Sequence, residues 1–118
     1  MRQDPKTLSP RQQALADQWD AHTRAEFEEH SLAATLATMT AQPWVTHVPV
    51  ITGGVGLEQV KHFYGTYFIP CQPPGTEIVH VSRTVGENRL VDEIIHKFTH
   101  TIEMPWLLPG VPPTGKHV

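Results

Sequence analysis

A single cysteine, Cys71, stands in the 118 residues. No disulfide can staple the fold within the chain, and a reducing, cytoplasmic setting is the expectation. Long hydrophobic runs are missing too. The apolar stretches extend only a few residues each, too short for a transmembrane helix. The N-terminal Met1-Arg-Gln-Asp-Pro5 has no apolar core behind its charge, so a secretory leader is not expected. An excess of one charge is also lacking: 9 Lys and Arg are interspersed with 12 Asp and Glu, for a formal net charge of −3. That balance argues against a nucleic-acid partner or an anionic-membrane surface. There is no internal repeat, no G-x-G-x-x-G spacing and no Gly-x-Ser-x-Gly elbow. Cys71 sits between prolines with no histidine at a telling spacing, so hydrolysis through a covalent intermediate is disfavoured. A chain of this length forms one domain with one modest core.

Histidine and proline are plentiful by contrast. Protonating all 8 histidines moves the formal charge from −3 to +5, so stability or binding can respond to mild acid. Seven of the 11 prolines fall in two stretches, Pro70 to Pro74 and Pro105 to Pro113. Neither sustains a repeat, and both read as punctuation between elements.

The local patterns predict helices first and strands after. Ser9 followed by Pro10 and Gln12 is a capping box with proline at the first helical position. The stripe Leu15, Ala16, Trp19, Thr23 and Phe27 then predicts a helix over about residues 10–29 with one buried face. His22 and Glu26 fall on that same side, one turn apart, either as a solvated pair or as pocket lining. Ser31 caps a second helix over about 31–41. The β-rich segment 44–51 contains Pro49, which cannot donate a ladder hydrogen bond, so it reads as an edge strand or irregular extended chain. Thr52-Gly-Gly-Val-Gly56 reads as a turn into a third helix over about 56–69, with Leu57, Val60, Phe63, Tyr64, Tyr67 and Phe68 on its apolar side. Residues 76–85 and 89–104 alternate and are β-branched, predicting a hairpin of two long strands around Gly86-Glu-Asn88. Residues 105–118 read as a terminal loop, with Lys116 to Val118 a strand barely begun. The fold class is α+β, with helices packed on one face of an antiparallel sheet.

His96 and His100 have the spacing of a helical metal pair, but their neighbours favour a strand. Four strand residues separate their side chains by about 13 Å, too far for one metal ion, so no metal is expected. The even positions of that strand, Leu90 through Met104, are mostly apolar yet include Asp92, His96 and His100. Burying these unpaired is costly; they either find partners in the core or line a cavity. A bulge would exchange the faces beyond it and bring in Glu93. Arg83, on the partner strand, either pairs with Asp92 or Glu93 or clamps an anionic ligand group. His47 lies among valines and is expected to be partly buried, and Tyr64 and Tyr67 are core residues with hydroxyls reaching a polar partner.

The chain resembles the SnoaL-like branch of the nuclear-transport-factor-2-like superfamily. The matching residues are Trp19 with Ala25-Glu26-Phe27, Thr38-Met39-Thr40, His47-Val48-Pro49 with Thr52-Gly53-Gly54, Phe63-Tyr64, Phe68-Ile69-Pro70, Ser82-Arg83-Thr84-Val85, Asp92-Glu93 and Phe98-Thr99-His100-Thr101. The run Leu107-Leu-Pro-Gly-Val-Pro-Pro-Thr-Gly115 completes them. The resemblance implies a cone, in which three N-terminal helices pack on a strongly curved antiparallel sheet and a pocket opens at the wide end. Related sequences continue into two further strands, so an incomplete C-terminus is implied as well. Members include polyketide cyclases, isomerases and dehydratases working by acid–base chemistry without a cofactor, alongside non-catalytic ligand-binding and dimerisation modules. Carried over by position, the polar pocket groups would be His47, Arg83, Glu93 and His100, with Glu26 and Tyr64 alongside. Of the candidates, His47, Glu93 and His100 are expected to be catalytic, and Glu26, Tyr64, Arg83, Asp92, His96 and Trp106 to meet the ligand. The implied ligand is a small apolar carbonyl compound. The open hairpin edge implies a homodimer or a marginally stable monomer.

Overall fold

A computed structural model describes residues 7–118, so the leader expectation at the first five residues lies outside the described residues. The fold is α+β: three helices and two small antiparallel sheets, each of two strands. Helix α1 (Pro10–Phe27) starts as its local chemistry dictates. The Ser9 hydroxyl accepts from the Gln12 N–H at 3.2 Å, and the Ser9 N–H donates to the Gln12 side chain at 2.9 Å. Helix α2 (Leu32–Ala37) is capped by Ser31, whose hydroxyl accepts from the Ala34 N–H. It ends earlier than its sequence suggests, at Thr38, where the hydroxyl turns back onto the Thr35 carbonyl.

The segment 44–51 is not one strand. β1 (Trp44–His47) turns at Val48 to Ile51 and pairs with β2 (Thr52–Val55), in register Trp44 to Val55 and His47 to Thr52. The glycine-rich stretch expected to be a turn is therefore a strand. Its glycines serve close packing: a Cβ at Gly53 would sit 2.0 Å from the Val45 carbonyl oxygen, and one at Gly54 would sit 2.8 Å from the Gln59 backbone. Only glycine lets β2 lie between β1 and the helix that follows.

That helix, α3 (Leu57–Phe63), does not continue regularly to residue 69. The turn Tyr64–Phe68 widens to π geometry and a 3₁₀ turn, Ile69–Cys71, follows. Pro70 supplies the reason. It has no N–H for the Thr66 carbonyl, and its ring crowds the carbonyl four residues back. The chain loosens there, and the Cys71 thiol donates to Thr66 O instead. The widened turn buries Tyr64 and Phe68 but leaves Tyr67 exposed, and Leu57, at the start of α3, is exposed as well.

β3 (Glu77–Val85) and β4 (Leu90–Lys97) form the second hairpin. β4 stops at Lys97, far short of residue 104, because Lys97 pairs with Glu77 and β3 offers nothing earlier to pair with. The chain then takes the C-terminal segment as partner: Phe98 exchanges two hydrogen bonds with Val118, and His100 N–H donates to Lys116 O. The predicted terminal loop is partly core. Trp106 is buried with Val60, Phe63, Tyr64, Phe68 and Phe98 in one cluster, joined by Met104 from the end of the predicted strand. Among the described residues, no helix is long and apolar enough to cross a membrane.

Candidate functional site

The apolar stripe of α1 faces a cavity as well as the core. Leu15, Trp19, His22, Thr23, Glu26 and Phe27 form one wall of a cavity of about 660 Å³. β1 contributes Trp44, Val45 and His47, the widened turn gives Tyr64 and Phe68, and β4 gives Leu90, Ile94 and His96. Trp106 and the segment after α2, including Thr38 and Gln42, complete it. The size is that of a small-molecule site, and a mainly apolar wall with a few convergent polar groups is its usual chemistry.

The polar groups fall into two sets. On α1, Glu26 is 5% exposed, and its carboxylate lies 3.3 Å from His22 Nε2, one helical turn earlier. Tyr64 faces the same carboxylate electrostatically. Burial, and then the adjacent Glu26 charge, push the phenol well above its ordinary range, so Tyr64 remains a proton donor. His22 stacks on Trp19, with ring centroids 5.3 Å apart, and its Nδ1 lies 2.7 Å from the Thr38 hydroxyl.

The second set is the pair of imidazoles against Trp106, with centroids 5.4 Å away for His47 and 5.6 Å for His96. His47 Nδ1 lies 3.2 Å from the Thr52 carbonyl. A carbonyl only accepts, so Nδ1 carries the proton and the neutral ring leaves Nε2 bare. Burial pushes His47 below its ordinary value, against the opposing pull of the Thr52 carbonyl and the Glu26 charge. Burial alone does the same to His96, whose buried Nε2 has no hydrogen-bond partner. Both rings are thereby kept neutral. For a base whose folded value lies below its unfolded one, the unfolded chain binds more protons between the two values. The stabilisation is complete above the ordinary value of 6.5 and is lost progressively as pH falls from there through the lowered folded values. The melting temperature therefore falls on acidification from about pH 7.5 to 5, and His47→Gln with His96→Gln flattens the dependence in a thermal melt.

Four expected site residues lie elsewhere. Arg83 is held by Asp92 at 2.6 and 2.8 Å and by Asp20 at 2.6 and 3.2 Å, and the Trp19 indole also donates to Asp92. These acids raise the Arg83 guanidinium further above its ordinary value. The guanidinium is spent on clamping α1 to the β3–β4 hairpin, with no free edge for an anionic ligand. Glu93 is on the solvent side, accepting from the Ser82 hydroxyl at 3.1 Å. The strand irregularity falls in β3 between His80 and Ser82, so the alternation of β4 is unbroken and Glu93 is never brought inward. His100 is buried away from the cavity wall, with Nδ1 against the Thr114 N–H and hydroxyl and Nε2 without a partner. It ties the terminal segment down. Burial and the nearby Glu103 push the Cys71 thiol up, away from its nucleophilic form.

Glu26, His47, Tyr64, His96 and Trp106 are the expected residues that the fold brings together. His22 is legible from its place on the α1 stripe one turn from Glu26, whereas Thr38 enters the sequence reading only within the Thr38-Met39-Thr40 match, with no role of its own. Among the described residues, no group of three or more His, Cys, Asp or Glu side chains converges to hold a metal ion. No family model, no curated protein and no solved structure matches this chain.

Proposed function

We propose that this chain is a SnoaL-like, nuclear-transport-factor-2-like pocket protein that carries out acid–base chemistry on a small, uncharged, apolar carbonyl compound. The observation that carries this reading is the buried Glu26 carboxylate, shared by His22 and Tyr64, in the wall of a cavity that also holds the neutral His47. The α+β layering supports the cone arrangement, and a cavity wall without Lys or Arg among the described residues favours an uncharged ligand.

In this mechanism the substrate lies against Trp106 and Phe68. The C–H bond beside the carbonyl breaks, its proton passes to His47 Nε2, and the electron pair forms the carbon–carbon double bond of an enol. The carbonyl oxygen takes a proton from the Tyr64–Glu26–His22 group. Return of the proton from His47 to a different carbon, and of the enol proton to that group, completes an isomerisation with both acid and base restored.

The test is a thermal-shift screen of uncharged cyclic ketones, enones and lactones, beside carboxylate analogues of the same shape. A ligand at 100 times its dissociation constant adds about 2.7 kcal/mol to folding stability. The expected result is stabilisation by uncharged compounds that weakens in Trp106→Leu. Preference for the carboxylates, or binding indifferent to Trp106, contradicts the reading.

A second reading, a dimerisation module, is favoured by the outer face of the β3–β4 hairpin. Val91 is 63% exposed and Ile95 52%, with Val79 and Val81 beside them. A second copy is the proposed partner. Light scattering then gives twice the chain mass, and Val91→Lys with Ile95→Lys returns it to one.

A further inference from the structure

The hydrogen bonds around His22 fix more than its position. The Thr38 hydroxyl oxygen lies 2.6 Å from the Thr35 carbonyl oxygen. A carbonyl has no proton to give, so the single hydroxyl proton of Thr38 must point there. The same oxygen lies 2.7 Å from His22 Nδ1. With its proton already committed, Thr38 can only accept, and the proton in this second bond belongs to Nδ1.

A singly protonated ring then has a bare Nε2. Yet Nε2 lies 3.3 Å from Glu26 Oε1, with side-chain exposures of only 12% for His22 and 6% for Glu26. Lone pair against lone pair at that distance, with little water to intervene, is repulsive, so the contact needs a proton of its own. The Tyr64 phenol also faces Glu26 electrostatically, and at 3.3 Å the Nε2–Oε1 contact has no room for it. His47, from β1, faces the same carboxylate electrostatically. From the β3–β4 hairpin, Asp92 is engaged by Arg83 and Trp19. Among the described residues, no Lys or Arg reaches the cavity wall to replace the missing proton.

We propose that Thr38 is a positioning residue that loads the cavity with a proton: by accepting from His22 Nδ1–H, it obliges the His22–Glu26 contact to hold a second one. The pair exists as imidazolium with carboxylate, or as imidazole with carboxylic acid. In either form its net charge is zero, and it carries one proton more than a neutral imidazole beside a carboxylate. The stacked Trp19 indole suits the cationic form. The use of this proton on a carbonyl oxygen rests on the function proposed above; the proton inventory itself does not.

The test needs no ligand. The full chain is labelled with ¹⁵N-histidine, and the ring nitrogens are read by long-range ¹H–¹⁵N correlation near neutral pH, with His22 assigned from His22→Gln. The expected result is a proton on His22 Nδ1. Thr38→Val, which keeps the shape and removes the acceptor, loses that proton and leaves a ring protonated at Nε2 alone. Thr38→Ser keeps the wild-type pattern. A wild-type ring protonated only at Nε2 overturns the proposal, and so does a Thr38→Val spectrum identical to wild type. Should Thr38→Val fail to fold, the wild-type and Thr38→Ser spectra still decide. Because the readout is independent of binding, a cavity that takes no carbonyl compound leaves this result unaffected, and the two ideas fail separately.

Discussion

Arg83→Ala is expected to cost about 3–5 kcal/mol of folding stability, the range for breaking a buried ion pair from one side. Arg83 is 7% exposed and the Asp92 side chain 6%, so the substitution takes the guanidinium from a buried carboxylate that the Trp19 indole also meets. Asp20, at 43%, resolvates on its own. The loss is asymmetric, which gives a control. Replacing Arg83 and Asp92 together with leucine removes both charges and costs less than Arg83→Ala alone. Chemical denaturation of the three proteins measures this. If Arg83→Ala matches wild type, the clamp between α1 and the β3–β4 hairpin contributes nothing to the fold.

Trp106→Ala is the second large effect, again about 3–5 kcal/mol, the usual range for emptying a buried aromatic site. Trp106 is 4% exposed, packs on Phe68 with centroids 4.6 Å apart, and donates its indole N–H to the Cys71 carbonyl at 3.1 Å. Its removal leaves that carbonyl without its donor and takes the shared surface from both His47 and His96. Urea unfolding followed by far-ultraviolet circular dichroism reads the change. A loss below about 1 kcal/mol, the level of an ordinary substitution, would mean that the C-terminal segment is not part of the core.

What the sequence reveals here depends on whether the cause is local. The Ser9–Gln12 capping box and the Ser31 cap are decided by neighbours three residues apart, and both form as expected. The even face of β4 is legible because a strand alternates with period 2, and Leu90, Asp92, Ile94 and His96 do share one face. The α1 stripe is legible as well, though periodicity cannot distinguish facing a core from facing a cavity. The misses come from distant partners. The length of β4 is set by where β3 begins, not by its own β-branched residues. Gly53 and Gly54 look like a turn until Val45 and Gln59 are seen pressing on them. His100 looks like a pocket residue until Thr114 and Lys116 fold back over it. Tyr64 reaches Glu26 from a turn that Pro70 widens, and no helical wheel contains that.

The most direct measurement on the central claim is solvent-deuterium incorporation. The product need not be identified, because a substrate proton that exchanges with the medium while it rests on His47 Nε2 is replaced on carbon by deuterium. Cyclic ketones and enones that bind the chain are incubated with it in deuterated buffer and followed by proton NMR. The account predicts incorporation beside the carbonyl above the buffer rate. His47→Gln lowers it by about 10²–10⁴-fold, the range for a general base, with the circular dichroism spectrum unchanged. For compounds bound in the cavity, the absence of both incorporation and isomerisation above the buffer rate contradicts it, and so does incorporation that survives His47→Gln undiminished.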